Sequence, residues 1–305
     1  MLPKSWVDVA GRWAFPSSEV TEKKIVYSGT DVKPVEYGLC LNDGRVLQGR
    51  ISTTVVFPNA VTEAKVVFGY DSELSRYYMA GLGGWGNGYT ISEFVPSFGW
   101  RGLKVAGRQA NIVSKKEYVL EVRIQGHRIV LAVDGVRILE HVLEAPLAGD
   151  QIGLFAVGQE VVEFRECRFR SEPADIFVIM QYTEPYESLY KEVIEPVCEE
   201  FHLHAIRADN MFSDKGIVLQ DIIQGIIDSR IIVAEITPEN ANVYYELGYA
   251  HALQKSTILL AEKGYPLPFD IQGYRTIFYE DTIRGKNEVE ENLRRYLDAI
   301  AKPDK

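Results

Sequence analysis

The run from Asn242 to Leu253, NVYYELGYAHAL, carries the side chain whose setting most invites chemistry, Glu246. It follows an apolar, strand-like stretch at 230–236 (RIIVAEI) and a short turn at 237–241 (TPENA). Asn242 is a good helix N-cap, so the pattern predicts a helix over 243–254 with Glu246 in or just past its first turn. Unpaired N–H groups and the helix dipole favour an ionised carboxylate there. The expectation is a permanently charged carboxylate aimed at a ligand above a sheet. The plainer alternative is that acids occupy first turns simply because they stabilise helices.

The elements that must position Glu246 begin near residue 173. Up to about Ser171 short alternating runs such as 118–124 (YVLEVRI) and 128–133 (RIVLAV) are separated by turn signals, Asn42-Asp-Gly, Gln125-Gly-His and Asp134-Gly. That pattern predicts an antiparallel sandwich. Beyond the hinge at Glu172-Pro-Ala the period changes. Strands are predicted at 175–180, 203–207, 231–236, 256–260 and 275–279, with helices at 186–201, 216–228, 243–254 and 286–300. Alternation of β and α predicts a flavodoxin-like parallel sheet of five strands in the order 2-1-3-4-5. The expected domains are therefore a β-sandwich over 1–172 and an α/β domain over 173–305.

Composition sets further bounds. The 305 residues suffice for two cores, and 46% apolar with 25% charged residues is ordinary for a globular chain. No apolar run approaches the roughly 20 residues that span a bilayer. The first residues, MLPKSWVD, lack the pattern of a secretory leader, and Cys40, Cys167 and Cys198 read as reduced thiols, so a cytoplasmic location is expected. The cysteines and five histidines show no metal-ligand spacing, and no metal is expected. The first 172 residues carry 20 acidic and 20 basic side chains, the remainder 23 and 13, so the net charge of −10 falls in the second domain. Such a domain repels nucleic-acid backbone, though helix N-termini and a few cations can still hold a small nucleotide.

One motif misleads. Gly81-Leu-Gly-Gly-Trp-Gly86 fits the dinucleotide fingerprint, but a turn and a strand follow it rather than a helix, so it reads as a hairpin or loop with Trp85 at its tip. Trp6, Trp13 and Trp100 read equally as core residues or sugar platforms.

Ligands on open α/β sheets bind beyond the carboxyl ends of the strands, at the switch point between strands one and three. That rule gathers Gln181, Tyr182 and Thr183 after the first strand, Arg207, Asp209 and Asn210 after the second, and Thr237, Asn240, Asn242, Tyr245 and Glu246 around the third. A carboxylate there suits N-glycosidic cleavage, stabilising an oxocarbenium-like state. A cationic nicotinamide leaves without a general acid; another base needs a proton, which Asp209 or Glu235 could supply. Arg207 suits a phosphate or carboxylate equally with a neighbouring acid, and Tyr182 and Tyr245 suit base stacking or simple packing. Asp209 is equally a turn former, and Glu235 a paired structural acid. His251, five residues beyond Glu246, reads as a packing residue on another face.

The motifs at 175–180 (DIFVIM), 207–209 (RAD), 229–234 (SRIIVA), Ile236-Thr237, 242–253 and Pro268-Phe-Asp270 occur in the order found in a bacterial family related to nucleoside 2-deoxyribosyltransferases and TIR domains, which the stretch from Ala174 to about Tyr279 resembles. In both related groups the Glu of the Glu-Leu helix is the catalytic carboxylate, and it maps onto Glu246. The resemblance implies a nucleotide N-glycosidase acting on NAD as substrate, with no cofactor, in homo-oligomers and in bacterial antiviral defence. It also leaves room for a deoxyribosyltransferase or nucleoside-phosphate hydrolase, or for a non-catalytic module binding a nucleotide signal. The chain departs from the family at Glu235, where Asp is usual, and at Gln181-Tyr182, where Pro-Phe is usual. Residues 115–170 resemble the closing strands of concanavalin-like jelly rolls of the lectin and laminin-G class, which implies a possible sugar or protein ligand.

Overall fold

A computed structural model describes residues 5–16, 24–29, 37–56, 63–210 and 219–301. It divides into two compact units, with the main break between Glu172 and Pro173. The predicted helix start at Gly216 lies outside the described residues.

The first unit is built from strands β1 (Trp6–Ala10), β2 (Trp13–Ala14), β3 (Lys24–Tyr27), β4 (Tyr37–Arg45), β5 (Gly49–Val56), β6 (Glu63–Asp71), β7 (Arg76–Gly83), β8 (Tyr89–Val95), β9 (Gly99–Ala106), β10 (Glu117–Gln125), β11 (Arg128–Val133), β12 (Val136–Val142), β13 (Gln151–Val157) and β14 (Val162–Ser171). They form two seven-stranded antiparallel sheets, ordered β1-β4-β13-β6-β7-β8-β9 and β12-β11-β10-β5-β14-β3-β2. Strict alternation along β10 buries Tyr118, Leu120, Val122 and Ile124. These meet Val66, Phe68 and Leu154 of the other sheet in one core, the antiparallel sandwich that the period-two pattern predicts, jelly-roll-like as the resemblance of residues 115–170 implies.

Turn signals behave unequally. Asp134 (φ 52°) and Gly135 (φ 77°) close the β11–β12 hairpin, two left-handed residues in succession as a tight hairpin needs. Asn42-Asp-Gly instead lies inside β4: the buried Asn42 accepts from the Gly44 N–H at 2.7 Å, and the pairing with β13 shifts register there, making a bulge. Gly81 and Gly83 belong to β7, and a Cβ at Gly81 would come within 2.5 Å of the Ala64 carbonyl oxygen. That glycine serves strand contact, and Trp85 stands 53% exposed in the turn after it.

The second unit holds a five-stranded parallel sheet of β15 (Asp175–Ile179), β16 (His204–Arg207), β17 (Ile231–Glu235), β18 (Ser256–Glu262) and β19 (Thr276–Tyr279), ordered β16-β15-β17-β18-β19. This is the 2-1-3-4-5 order of the flavodoxin-like class. Its helices are α1 (Tyr186–Leu189), α2 (Glu195–Glu200), α3 (Leu219–Asp228), α4 (Ala241–Ala252) and α5 (Ile283–Ala301). The strands are apolar on both faces because both are covered. Ile176, Val178, Ile231 and Val233 pack with α2 and α5, whereas Phe177, Ile179, Ile232 and Ala234 pack with α3 and α4.

The single helix predicted over 186–201 is in fact α1 and α2 joined by a π-helical turn at Tyr190–Ile194. Pro196, in the first turn of α2, has no N–H and its ring crowds the carbonyl four residues back, so the backbone widens before it. Among the described residues no helix is long and apolar enough to cross a membrane. All three cysteines are buried and unbonded.

Candidate active site

Helix α4 begins two residues earlier than its sequence suggests. Asn240, extended at φ −138°, is the cap, and its side chain accepts from the Asn242 N–H at 2.9 Å. Asn242 is thus already helical, and Glu246 falls in the second turn, where dipole stabilisation has faded. Val243, Leu247 and Ala250 bury one face against the sheet. Asn242, Tyr245 and Glu246, spaced i, i+3 and i+4, share a different face.

That face forms part of a cleft of about 490 Å³ beyond the carboxyl ends of β15 and β17. Gln181, Tyr182 and Thr183 from the end of β15 line it together with Asn240, Asn242, Tyr245 and Glu246. The Gln181 side chain donates to the Pro238 carbonyl at 3.3 Å, bracing the two loops. Met180 and Val243 supply apolar floor, and Leu219 and Ile222 of α3 form a further wall beyond the residues expected from the switch-point rule. Only the apolar periodicity of α3 hinted at it; no polar side chain marks it.

Glu246 is half-buried, and desolvation by burial raises its carboxyl to about 7. The permanently charged carboxylate expected from the sequence is therefore one poised between its two forms near neutrality. Among the described lining residues it is the one carboxylate.

Three expected ligand residues stand off the cleft wall. Arg207 is buried, its Nε donating to Asp209 Oδ1 at 2.6 Å, its Nη2 paired with Asp209 Oδ2, and its Nη1 2.7 Å from Glu187 Oε2. The bonds from Arg207 and Lys191 hold Glu187 down to about 2. Asp209 is thus engaged by Arg207. Thr237 is buried as well: its N–H donates to Glu235 Oε1 at 2.8 Å, its hydroxyl bonds the same oxygen, and Oγ1 accepts from the Glu262 N–H at 3.1 Å. Glu235 is 2% exposed, and burial pushes its carboxyl up to about 8. His251 stacks flat on Tyr274, ring centroids 3.8 Å apart, as a packing residue would.

No family model matches the chain, and no curated protein does. Among solved structures it is similar to a carbohydrate-binding module, CBM66, from Bacillus subtilis, at 14% identity and TM-score 0.44 over 54% of this chain and 95% of that one. It is similar also to a CMP N-glycosidase from Clostridium botulinum, at 18% identity and TM-score 0.34 over 40% of this chain and 99% of that one. A β-glucanase from Bacillus licheniformis shows 11% identity and TM-score 0.36 over 54% and 92%. These are distant likenesses of fold, and the site must be read from its own residues.

Proposed function

We propose that the second unit is a TIR-like nucleotide N-glycosidase that cleaves the nicotinamide–ribose bond of NAD, with Glu246 as its catalytic carboxylate. One observation carries this reading: Glu246, raised to about 7, stands in a cleft at the sheet's switch point between amide and tyrosine side chains. In the ionised form it stabilises positive charge developing at C1′. As the C1′–N bond breaks, its electron pair neutralises the pyridinium ring, and water adds to C1′ with loss of a proton to solvent.

The two acids that the sequence offered as proton donors support a leaving group that needs none. Asp209 is held by Arg207, and Glu235 is bonded to Thr237 away from the cleft wall. A cationic base departs as a neutral molecule and so fits this arrangement. The remaining parts of the proposal are a cytoplasmic setting, self-association, a defence role, and a sandwich unit that senses a sugar or protein ligand. The acidic second unit gives nucleic acid no attraction, so no low-salt DNA or RNA binding is expected.

The test is incubation of the protein with NAD and with a panel of nucleosides and nucleoside monophosphates, following base release by chromatography. Nicotinamide release supports the proposal. Transfer of deoxyribose between bases, or release of base from a monophosphate alone, replaces it with the corresponding enzyme. Binding without turnover replaces it with a nucleotide sensor.

A further inference from the structure

We propose that Arg207 is a positioning residue whose guanidinium fixes Tyr182 as one wall of the cleft, and that the Tyr182 ring is the face on which a ligand's aromatic base stacks. The stacking role rests on the nucleotide reading above; the positioning role does not.

Arg207 cannot serve as the phosphate anchor that its type suggests. Its charge is met by Asp209 and Glu187, and Glu187 Oε1 also lies 2.7 Å from Lys191 Nζ. Two cations and two carboxylates therefore balance within one cluster, leaving no surplus charge for an anion. The carboxylates do something else: the hydrogen bonds from Nε and Nη2 to Asp209 fix the plane of the guanidinium, and the ion pair of Nη1 with Glu187 helps fix its place.

Two tyrosine rings lie within cation–π distance of that guanidinium. The Cζ atom is 4.5 Å from the centroid of Tyr190, which is fully buried and donates its hydroxyl to the Ala205 carbonyl at 3.2 Å. It is also 5.2 Å from the centroid of Tyr182, which is 40% exposed and lines the cleft. Arg207 thus links the buried Tyr190 to Tyr182 at the ligand space, each contact a cation–π pair. Burial, and then the charge of Glu246, push the Tyr182 hydroxyl up to about 12, so this ring and the carboxylate share one environment. A ring held by the guanidinium in this way offers a base a stacking surface without first losing rotamer freedom.

The test uses the full chain in the variants Arg207→Met, Arg207→Lys, Tyr182→Leu, Tyr182→Phe and the Arg207→Met/Tyr182→Leu double. In the ligand-free protein the ring resonance of Tyr182, assigned with carbon-13 tyrosine by its loss in Tyr182→Phe, is compared between wild type and the Arg207 variants. Binding of AMP and of ribose 5-phosphate, which lacks a base, is measured by calorimetry. The proposal expects the Tyr182 resonance to move in both Arg207 variants, because a lysine cannot reproduce the planar fork. It expects Arg207→Met and Tyr182→Leu each to weaken AMP about tenfold, the scale of one base–aromatic stack, with ribose 5-phosphate unchanged and Tyr182→Phe near wild type. The double variant should be no weaker than Tyr182→Leu, since both remove one interaction. Should Arg207→Met not fold, Arg207→Lys carries the same expectations. An unmoved Tyr182 resonance, additive losses, or equal weakening of ribose 5-phosphate would overturn the proposal. A wild type that binds neither compound overturns the nucleotide reading and the stacking role together, and the resonance shift tells that failure from a failure of positioning.

Discussion

Glu235 and Glu246 stand on opposite faces of the same parallel sheet. Along β17, Ile231 and Val233 point toward the α2–α5 layer, and Glu235 continues that alternation toward Tyr186 and Tyr279. Ile232 and Ala234 point toward the layer containing α4, which carries Glu246. The two carboxyl groups are both raised, each chiefly by burial, yet only one of them lines the cleft.

From that separation follows a contrast between variants. Glu235 is protonated at neutral pH, and Gln keeps an acceptor for the Thr237 donors at similar size. Glu235→Gln should retain base release within about threefold of wild type, well short of the hundredfold or more lost with a catalytic charge. Its melting temperature should exceed that of wild type at high pH. The folded-state carboxyl is raised from 4.5 to about 8, so its stabilising contribution is complete below about 4.5 and is lost as pH rises through 8. Thermal scans at pH 5 and pH 9 check this; a gap that shrinks with rising pH would contradict it.

The ionisation of Glu246 sets the pH dependence of the reaction. If the carboxylate form is the active one, kcat/KM for base release should rise about tenfold per pH unit below 7 and level off above it, since this ratio reports the free enzyme. A profile flat from pH 5 to 8 would remove Glu246 from the rate-determining chemistry.

The architecture was legible in the sequence because it depends on local periodicity. Alternation in β10 and the buried runs of β15, β17 and β18 specify strands whatever their partners. The parts that were not legible depend on neighbours distant in the chain. Asn240 and Asn242 are equally good caps by type, and only the extended backbone at Asn240 decides between them. Arg207 looks like an anion anchor until Glu187, twenty residues away, is brought to 2.7 Å. The charge state of Glu246 turns on burial, which a position in a helix does not report.

Self-association gives a further expectation. If a neighbouring copy completes the cleft, specific activity should rise with protein concentration, and gel filtration under assay conditions should show an oligomer. A monomer whose total activity is strictly linear in concentration would end that part of the proposal.

The most direct measurement is base release by Glu246→Gln at pH 8, beside its thermal stability. Removing the charge while keeping size should cost about two to three orders of magnitude in rate, the scale of a fixed electrostatic contact to a developing cation. The fold should not suffer. Glu246 is raised from 4.5 to about 7, so wild type loses stability as pH rises through that interval and the uncharged Gln does not. The account predicts a variant at least as stable as wild type at pH 8 and nearly inactive; a folded Glu246→Gln releasing base at the wild-type rate would contradict it.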